Sequence, residues 1–506
     1  MIRIAISICV ATVLSMLLVI FGGCSNTNYA SSVDVERVDN TIIVKKGADF
    51  QVALDRAKPG DTITLEAGAV YSGAFTLPKK EGQEFITIRS SAADGQLPQA
   101  GERMNPTKYA SVLPKIRPNV KAEAGLATSA GAHHYRFIGI EFEPTIDGLY
   151  NIVRIGSGDE RKAEDLPHHI EFDRVYIHGS PIFGQRRGVA ANGRFITIKN
   201  SYISDIKQKG DESQGIGAWA TDGPIEIVNN YIEAAAENIL FGGAGSYLKL
   251  VPSDVLIKGN HLNKPLSWRD DSWVVKNLFE IKNGRRIKVE NNLMTNNWVM
   301  GQDGFAILFT TRADNGKASI IDDVEFAGNI IRGSACGINL LGGEGSKGHN
   351  LKIRNNLFED LTGEKWGGSG HFLKMTDWDV LVIENNTILQ TGNIAIAYGI
   401  PIIKFVFRNN IVFQNTYGFF GDNLGTGPKS LDTFFPGGSV ANNIIIGGDP
   451  SLYKENNFYP LSIRQVGFVD FRNGDYRLQN DNPYLKRGFD GGRIGADIDI
   501  RAVGKN

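Results

Sequence analysis

Short runs of apolar, β-branched and aromatic residues follow one another along most of this chain, each broken by Gly, Asn or Asp. KNSYISDI, VNNYIEAA, ENNLMTNN, AGNIIRGS, RNNLFEDL, ENNTILQT and RNNIVFQN share one pattern, an asparagine followed by two mostly apolar residues. The asparagines are Asn200, Asn230, Asn260, Asn292, Asn329, Asn356, Asn386, Asn410 and Asn443, at intervals of 30, 30, 32, 37, 27, 30, 24 and 33 residues. A repeat of this length is one supersecondary unit stacked on copies of itself, because no single unit can bury its apolar face alone. Brief runs bounded by Gly, Asn and Asp read as strands, so the stack is a solenoid of strands. A second column follows each asparagine by some eight to twenty residues: RGVAANG, GIGAWATDG, NILFGGAG, NLFEIKNG, FAILFTTR, GINLLGGE, HFLKMTD and IAIAYG. The asparagines are expected to be structural, since this residue tolerates left-handed backbone angles and its amide can bond its neighbours. Stacked amides from successive coils would form a ladder.

The repeat runs from about residue 130 to 445, so one elongated domain over residues 40–495 is expected, with a tail at 496–506. Before it, Phe50, Ala53, Leu54 and Ala57 have helical spacing, Asp49 suits an N-cap, and Pro59-Gly60 stops the helix. Thr62–Leu65 then alternates as a strand. A short helix there would cover the open end of the stack. The tail from residue 463 reads as a final strand pair and a closing loop.

The first residues change the picture of where the chain resides. Arg3 precedes an apolar run that ends in Gly22-Gly23-Cys24, the length and order of an export signal. The ending resembles the lipobox of bacterial lipoproteins, which implies a signal peptide at 1–24, lipidation of Cys24 and a polar tether at 25–39. Phe21 departs from the aliphatic residue usual at its position. The expected location is the cell envelope, on the outer membrane or cell surface, or else secreted. An uncleaved membrane anchor is the plainer alternative. The chain has three cysteines, Cys9, Cys24 and Cys336; with the first in the signal and the second lipidated, no disulfide framework is expected. A formal net charge of −1 gives no footprint for nucleic acid.

The helix-then-strand entry, the Asn-turn coils and the closing tail resemble the pectin-lyase-like superfamily of right-handed parallel β-helices over roughly residues 40–495. The resemblance implies an all-β solenoid with an N-terminal capping helix. It does not imply one chemistry, because that fold hosts lyases, hydrolases, epimerases and adhesins. The Trp-Ile-Asp-His and Arg-x-Pro-x-x-Arg signatures of typical pectate lyases do not occur, so no catalytic residue is carried across.

Charged and aromatic residues concentrate between residues 168 and 312. In NLFEIKNG, Phe279 and Ile281 take one face, which sends Glu280 and Lys282 to the other. In FAILFTTR, Phe305, Ile307 and Phe309 point inward and leave Arg312 outward, one coil away. Lys282, Arg312, Glu280 and, one coil below, Glu237 are therefore the catalytic candidates. Asp211 and Glu212, one coil earlier, extend a line of carboxylates suited to Ca²⁺. Arg187, Lys207, Trp219, Asn238, Trp268, Arg269, Trp298 and Lys374 are the candidates for substrate binding, the indoles as platforms for sugar rings. Each feature has a plainer reading too: a solvated charge ladder, carboxylates that cap turns, and tryptophans that pack.

A polyuronate lyase needs cations to neutralise the substrate carboxylate and the enolate, and a base to take the proton between them. Lys282 beside Arg312 is expected to have its pKa lowered toward that of a base. On this basis an acidic polysaccharide is the expected substrate, β-elimination the reaction and a monomer the working form. A glycoside hydrolase using Asp211, Glu237, Glu280 or Asp303 is the alternative, and a non-catalytic glycan-binding surface protein the third. The His133-His134 and His168-His169 pairs lack partners at metal-ligand spacing, and neighbours on a strand face opposite sides. No transition-metal site is expected.

Overall fold

The computed structural model describes residues 35–118, 124–144, 149–312 and 319–499. The signal peptide, Cys24 and tether residues 25–34 lie outside the described residues. Among those described, three sheets of 15, 13 and 12 strands run side by side, here sheets A, B and C, parallel except for the first strand pair of sheet A. Each coil contributes one strand to each in turn, as His168–Asp173, Tyr176–His178 and Arg187–Ala191 do before Arg194–Lys199 returns to sheet A. The molecule is a right-handed parallel β-helix.

Register explains why the coils stack. In sheet A the column Ile170, Ile196, Ile225, Val255, Ile287, Val324, Leu351, Leu381 and Phe405 is continuous. In sheet C the matching inward column is Val153, Val189, Ile216, Ile239, Phe279, Ile307, Ile338, Leu373, Ala395 and Phe419. All of these residues are buried in one core. Every strand thus supplies apolar area that only its neighbours cover.

The sequence shows two strand columns, where the fold has three sheets. Strands of sheet A run into the asparagine turn without a loop, so that Arg194–Lys199 and Tyr202–Ile206 read as one apolar stretch. The turn between them divides two jobs between two residues. The first residue takes a left-handed backbone: Asn229, Asn291, Asn355, Asn385, Asn409 and Asn442 have φ from 51 to 56°, and Gly259 and Gly328 replace asparagine in their coils. The second residue forms the ladder. Asn292, for example, donates its backbone N–H (3.0 Å) and its side-chain amide (2.9 Å) to Asn329 Oδ1. Asn329 repeats both bonds to Asn356, and its Nδ2 also reaches the Val289 carbonyl at 2.8 Å. The ladder runs from Ser201 to Asn457. Asn200 does not belong to it: with φ 52° it holds the left-handed position, and Ser201 takes the ladder position in that coil.

Helix Phe50–Arg56 forms as its spacing predicts, with the Asp49 carboxylate accepting from Gln51 N at 2.8 Å and Phe50, Ala53 and Leu54 buried. The folded body starts before residue 40. Val35–Val38 pairs antiparallel with Thr41–Val44, so the last part of the expected tether is a strand at the edge of sheet A. At the other end Phe468–Asp470 and Asp475–Leu478 form an antiparallel pair. Ala496, placed by sequence in the tail, is buried.

Candidate active site on the outer face of sheet C

The outward column of sheet C reads Arg154, Ala190, Gly217, Leu240, Glu280, Leu308, Asn339, Lys374, Ile396 and Phe420. Small and apolar residues thus surround one carboxylate. A groove of about 690 Å³ opens over it, and Glu212, Lys276, Glu280, Lys282, Gln302, Asp303, Arg312 and Asn339 are among its lining residues. Glu280, Lys282 and Arg312 meet at one groove as alternation expects, but Phe305, expected to point inward, lines the groove and packs with Leu308. The backbone N–H of Arg312 donates to the Lys282 carbonyl at 3.0 Å, fastening the two coils together.

Charge is layered beneath this groove. Lys282 Nζ lies 3.6 Å from Glu280 Oε1, and Asn277 Nδ2 donates to Glu280 Oε2 at 2.9 Å. Lys276 is ion-paired with Glu212, and its ammonium is also 3.6 Å from Glu237 Oε1. Glu237 is fully buried and accepts from Gln214 Nε2 at 2.9 Å, while its other oxygen accepts no hydrogen bond. Burial, then the Glu280 and Glu212 carboxylates, push Glu237 up to about 7, against the pull of Lys276 and Lys282. Below it Lys264, also fully buried, donates to the carbonyls of Ala234 (2.8 Å), Ala235 (2.9 Å) and Ala236 (3.1 Å) and to Asn238 Oδ1 (3.0 Å). Burial brings Lys264 down to about 7, though Glu237 opposes this. These bonds fix the turn that places Glu237 on its strand.

A stability prediction follows from Glu237. Its folded pKa stands above its unfolded value of 4.5, so the folded chain binds more protons over that window. The stabilising contribution is complete below 4.5 and is lost as pH rises through about 7. Glu237→Gln should flatten that part of the curve of unfolding midpoint against pH. An unchanged slope would show that Glu237 stays ionised in the fold.

Four expectations are corrected by the geometry. Burial tends to lower Lys282, but Glu280, Glu237 and Glu212 outweigh both it and Arg312, so the pKa is raised. Lys282 is an ammonium, not a poised base. Trp268 and Trp298 are no sugar platforms, because they pack with Trp273 and Trp366 in a buried cluster under the loops. Lys207 is buried as well, bonded to Asp205 at 2.7 Å and lying 5.1 and 5.2 Å from the Trp268 and Trp273 ring centroids. Asn238 is likewise turned inward, donating to the carbonyls of Ile232 (2.7 Å) and Asn263 (2.9 Å).

The other candidates are dispersed. Arg187 stacks over the half-buried Trp219 at 4.7 Å. Arg269 is exposed, 5.3 Å from the Trp366 ring, and donates to the Lys365 carbonyl. Lys374 does not line the groove but lies 3.8 Å from Asp303, which does. Asp211 faces Arg186, as Glu212 faces Lys276. Lys276 and Gln302 escaped the sequence argument, because each belongs to a connection whose path over the sheet no periodicity reveals. A larger hollow, about 870 Å³, lies on sheet B against Tyr176, Tyr202, Tyr231, Glu233 and Arg103. Its charges are already satisfied: Tyr231 Oη donates to Glu233 at 2.6 Å, and Arg103 bonds the Asn229 and Gly259 carbonyls at 3.1 and 2.8 Å. The groove on sheet C is the stronger site.

The fold recurs among solved structures of low sequence identity. The PL6 family alginate lyase AlyGC superposes with a TM-score of 0.57 at 16% identity, covering 92% of this chain. The present chain spans 58% of that structure's length. Pectate lyase Pel9A gives a TM-score of 0.40 at 13% identity, over 87% of this chain and 86% of its own. An alginate lyase from Paenibacillus sp. str. FPU-7 gives 0.37 at 16% identity, over 72% and 95%. No protein-family model and no curated protein sequence matches the chain.

Proposed function

We propose that this protein is a carbohydrate-active β-helix enzyme, a polysaccharide lyase that cleaves a uronate-containing polymer by β-elimination. The observation that carries this reading is the meeting of Lys282, Arg312 and Glu280 on one open groove, with Lys282 held protonated. Arg312 is two-thirds exposed and bonds Glu344 at 3.1 Å, so its guanidinium can exchange that partner for a substrate carboxylate. Lys282 is fixed beside the reacting carbon and stabilises the enolate that forms there. Glu280 lines the same groove and is the group placed to take the proton. The likeness to lyases in fold supports the reading without assigning the chemistry.

The hydrolase alternative keeps Glu280 and Asp303, which both line the groove, and loses Glu237 and Asp211, which do not. Calcium at Asp211 and Glu212 fits poorly, because Arg186 and Lys276 already hold those carboxylates, and Ca²⁺ requires about six to eight oxygen ligands. The test is ultraviolet absorbance of unsaturated ends when the protein meets a panel of acidic polysaccharides, with and without Ca²⁺. Absorbance supports the lyase. New reducing ends without absorbance would transfer the site to a hydrolase, and silence on both readouts would leave glycan binding.

The Gly22-Gly23-Cys24 ending supports export and lipid anchoring in the cell envelope. Cys24→Ala should abolish incorporation of labelled fatty acid and move the protein from the membrane fraction. Labelling that survives the substitution would sink the anchor.

A further inference from the structure

On the outer face of sheet A two histidine pairs stand one above the other. His133 and His134 open the strand His133–Ile138, His168 and His169 open His168–Asp173, and His133 is the register partner of His168. Alternation along a strand would send the two rings of each pair to opposite faces. It fails here because His134 and His169 have left-handed backbones, with φ of 58 and 54°. Each pair therefore closes on itself, with an Nδ1–Nδ1 separation of 2.8 Å.

The coils then stack the pairs. The His133 ring lies over His168 at 4.6 Å and 8° between planes, and His134 lies over His169 at 4.4 Å and 7°. Phe85 meets His134 edge-on at 5.2 Å, and Phe195 stacks on His169 at 4.3 Å, so aromatic rings bracket the outer column. One ring nitrogen from each of His133, His134 and His168 lies within 4.8 Å of the other two. The hollow they line, about 540 Å³, also holds Glu81. In the free protein each 2.8 Å contact joins an N–H to a lone pair, so one bare nitrogen per pair already faces its neighbour.

We propose that His133, His134 and His168 form a binding site for a transition-metal dication of the zinc class, with Glu81 or water completing the shell. Three imidazoles select such ions over Ca²⁺ and Mg²⁺, which prefer oxygen. Zn–N bonds of about 2.0–2.1 Å place tetrahedral ligand nitrogens roughly 3.3 Å apart. The His133–His134 separation is already inside that limit, and turning the His168 ring closes the rest. The site is on a different sheet from the groove and does not depend on the lyase reading.

The full chain, free of any affinity tag, is titrated with Co²⁺ followed by Zn²⁺. The expected result is one ion per chain, with the visible absorption of tetrahedral cobalt appearing and then being displaced by zinc. His133→Ala and His168→Ala should each weaken zinc binding by at least about tenfold. His349→Ala, on the same sheet but paired with Asp322, should leave it unchanged. His168→Gln preserves the ring's volume, and its metal-free circular dichroism and unfolding midpoint separate lost binding from lost folding. No zinc uptake by the parent chain, or uptake that survives both alanine substitutions, would overturn the site.

Discussion

Lys282→Ala should remove nearly all formation of unsaturated product from the polymer that the parent chain cleaves, a fall of roughly a hundred- to thousandfold in kcat. The reason is electrostatic. Lys282 is the cation closest to Glu280, and the surrounding carboxylates keep it protonated. Its charge therefore balances an enolate as soon as Glu280 takes the proton. Because the ammonium acts mainly in the transition state, kcat should fall far more than KM rises. Arg312→Ala should show the opposite emphasis, raising KM, since its exposed guanidinium meets the ground-state carboxylate as well. Lys282→Arg separates the roles: a retained charge should preserve part of the rate. Activity that rises steeply as the pH approaches the lysine range would mean that the neutral amine is the base. Full activity in Lys282→Ala would take the site away from this groove.

The second large effect concerns folding. Asn329→Ala removes the acceptor of two bonds from Asn292 and the donor to the Val289 carbonyl, all in the dry interior. Buried polar groups left without partners make the expected cost about 3–5 kcal/mol. It should appear as a lower urea midpoint and faster amide exchange in the neighbouring coils. Asn291→Gly should cost at most about 0.5 kcal/mol, since that exposed position requires only a left-handed backbone. Equal losses at both positions would refute the division of labour within the asparagine turn.

Much of the solenoid was legible because its rules are local. Period-2 alternation fixed which side Phe279, Glu280 and Lys282 take, and spacing fixed the helix at Phe50–Arg56. The third sheet was hidden because a turn of one left-handed residue leaves no loop in the sequence. The binding residues were misjudged for a different reason. Trp268 and Trp298 look alike in sequence whether they face a sugar or each other, and only the paths of two connections decide. Lys282 shows the same limit in charge: Glu280, Glu237 and Glu212 are visible coil by coil, but not that together they outweigh burial and Arg312. The histidines reverse the error. Alternation excluded a cluster that two left-handed residues create.

The ladder also decides where the molecule comes apart. Each interior asparagine is tied to the coil on either side, whereas an end coil has one such neighbour. Opening an inner coil breaks two junctions, and opening a terminal one breaks a single junction. Loss of structure should therefore fray inward from the two ends. The strands that carry the groove, from Asn277–Ile281 to Cys336–Leu341, are the seventh to ninth of the 12 described in sheet C. Chemistry placed there is insulated by several coils on each side, and partial digestion of the termini should leave it standing.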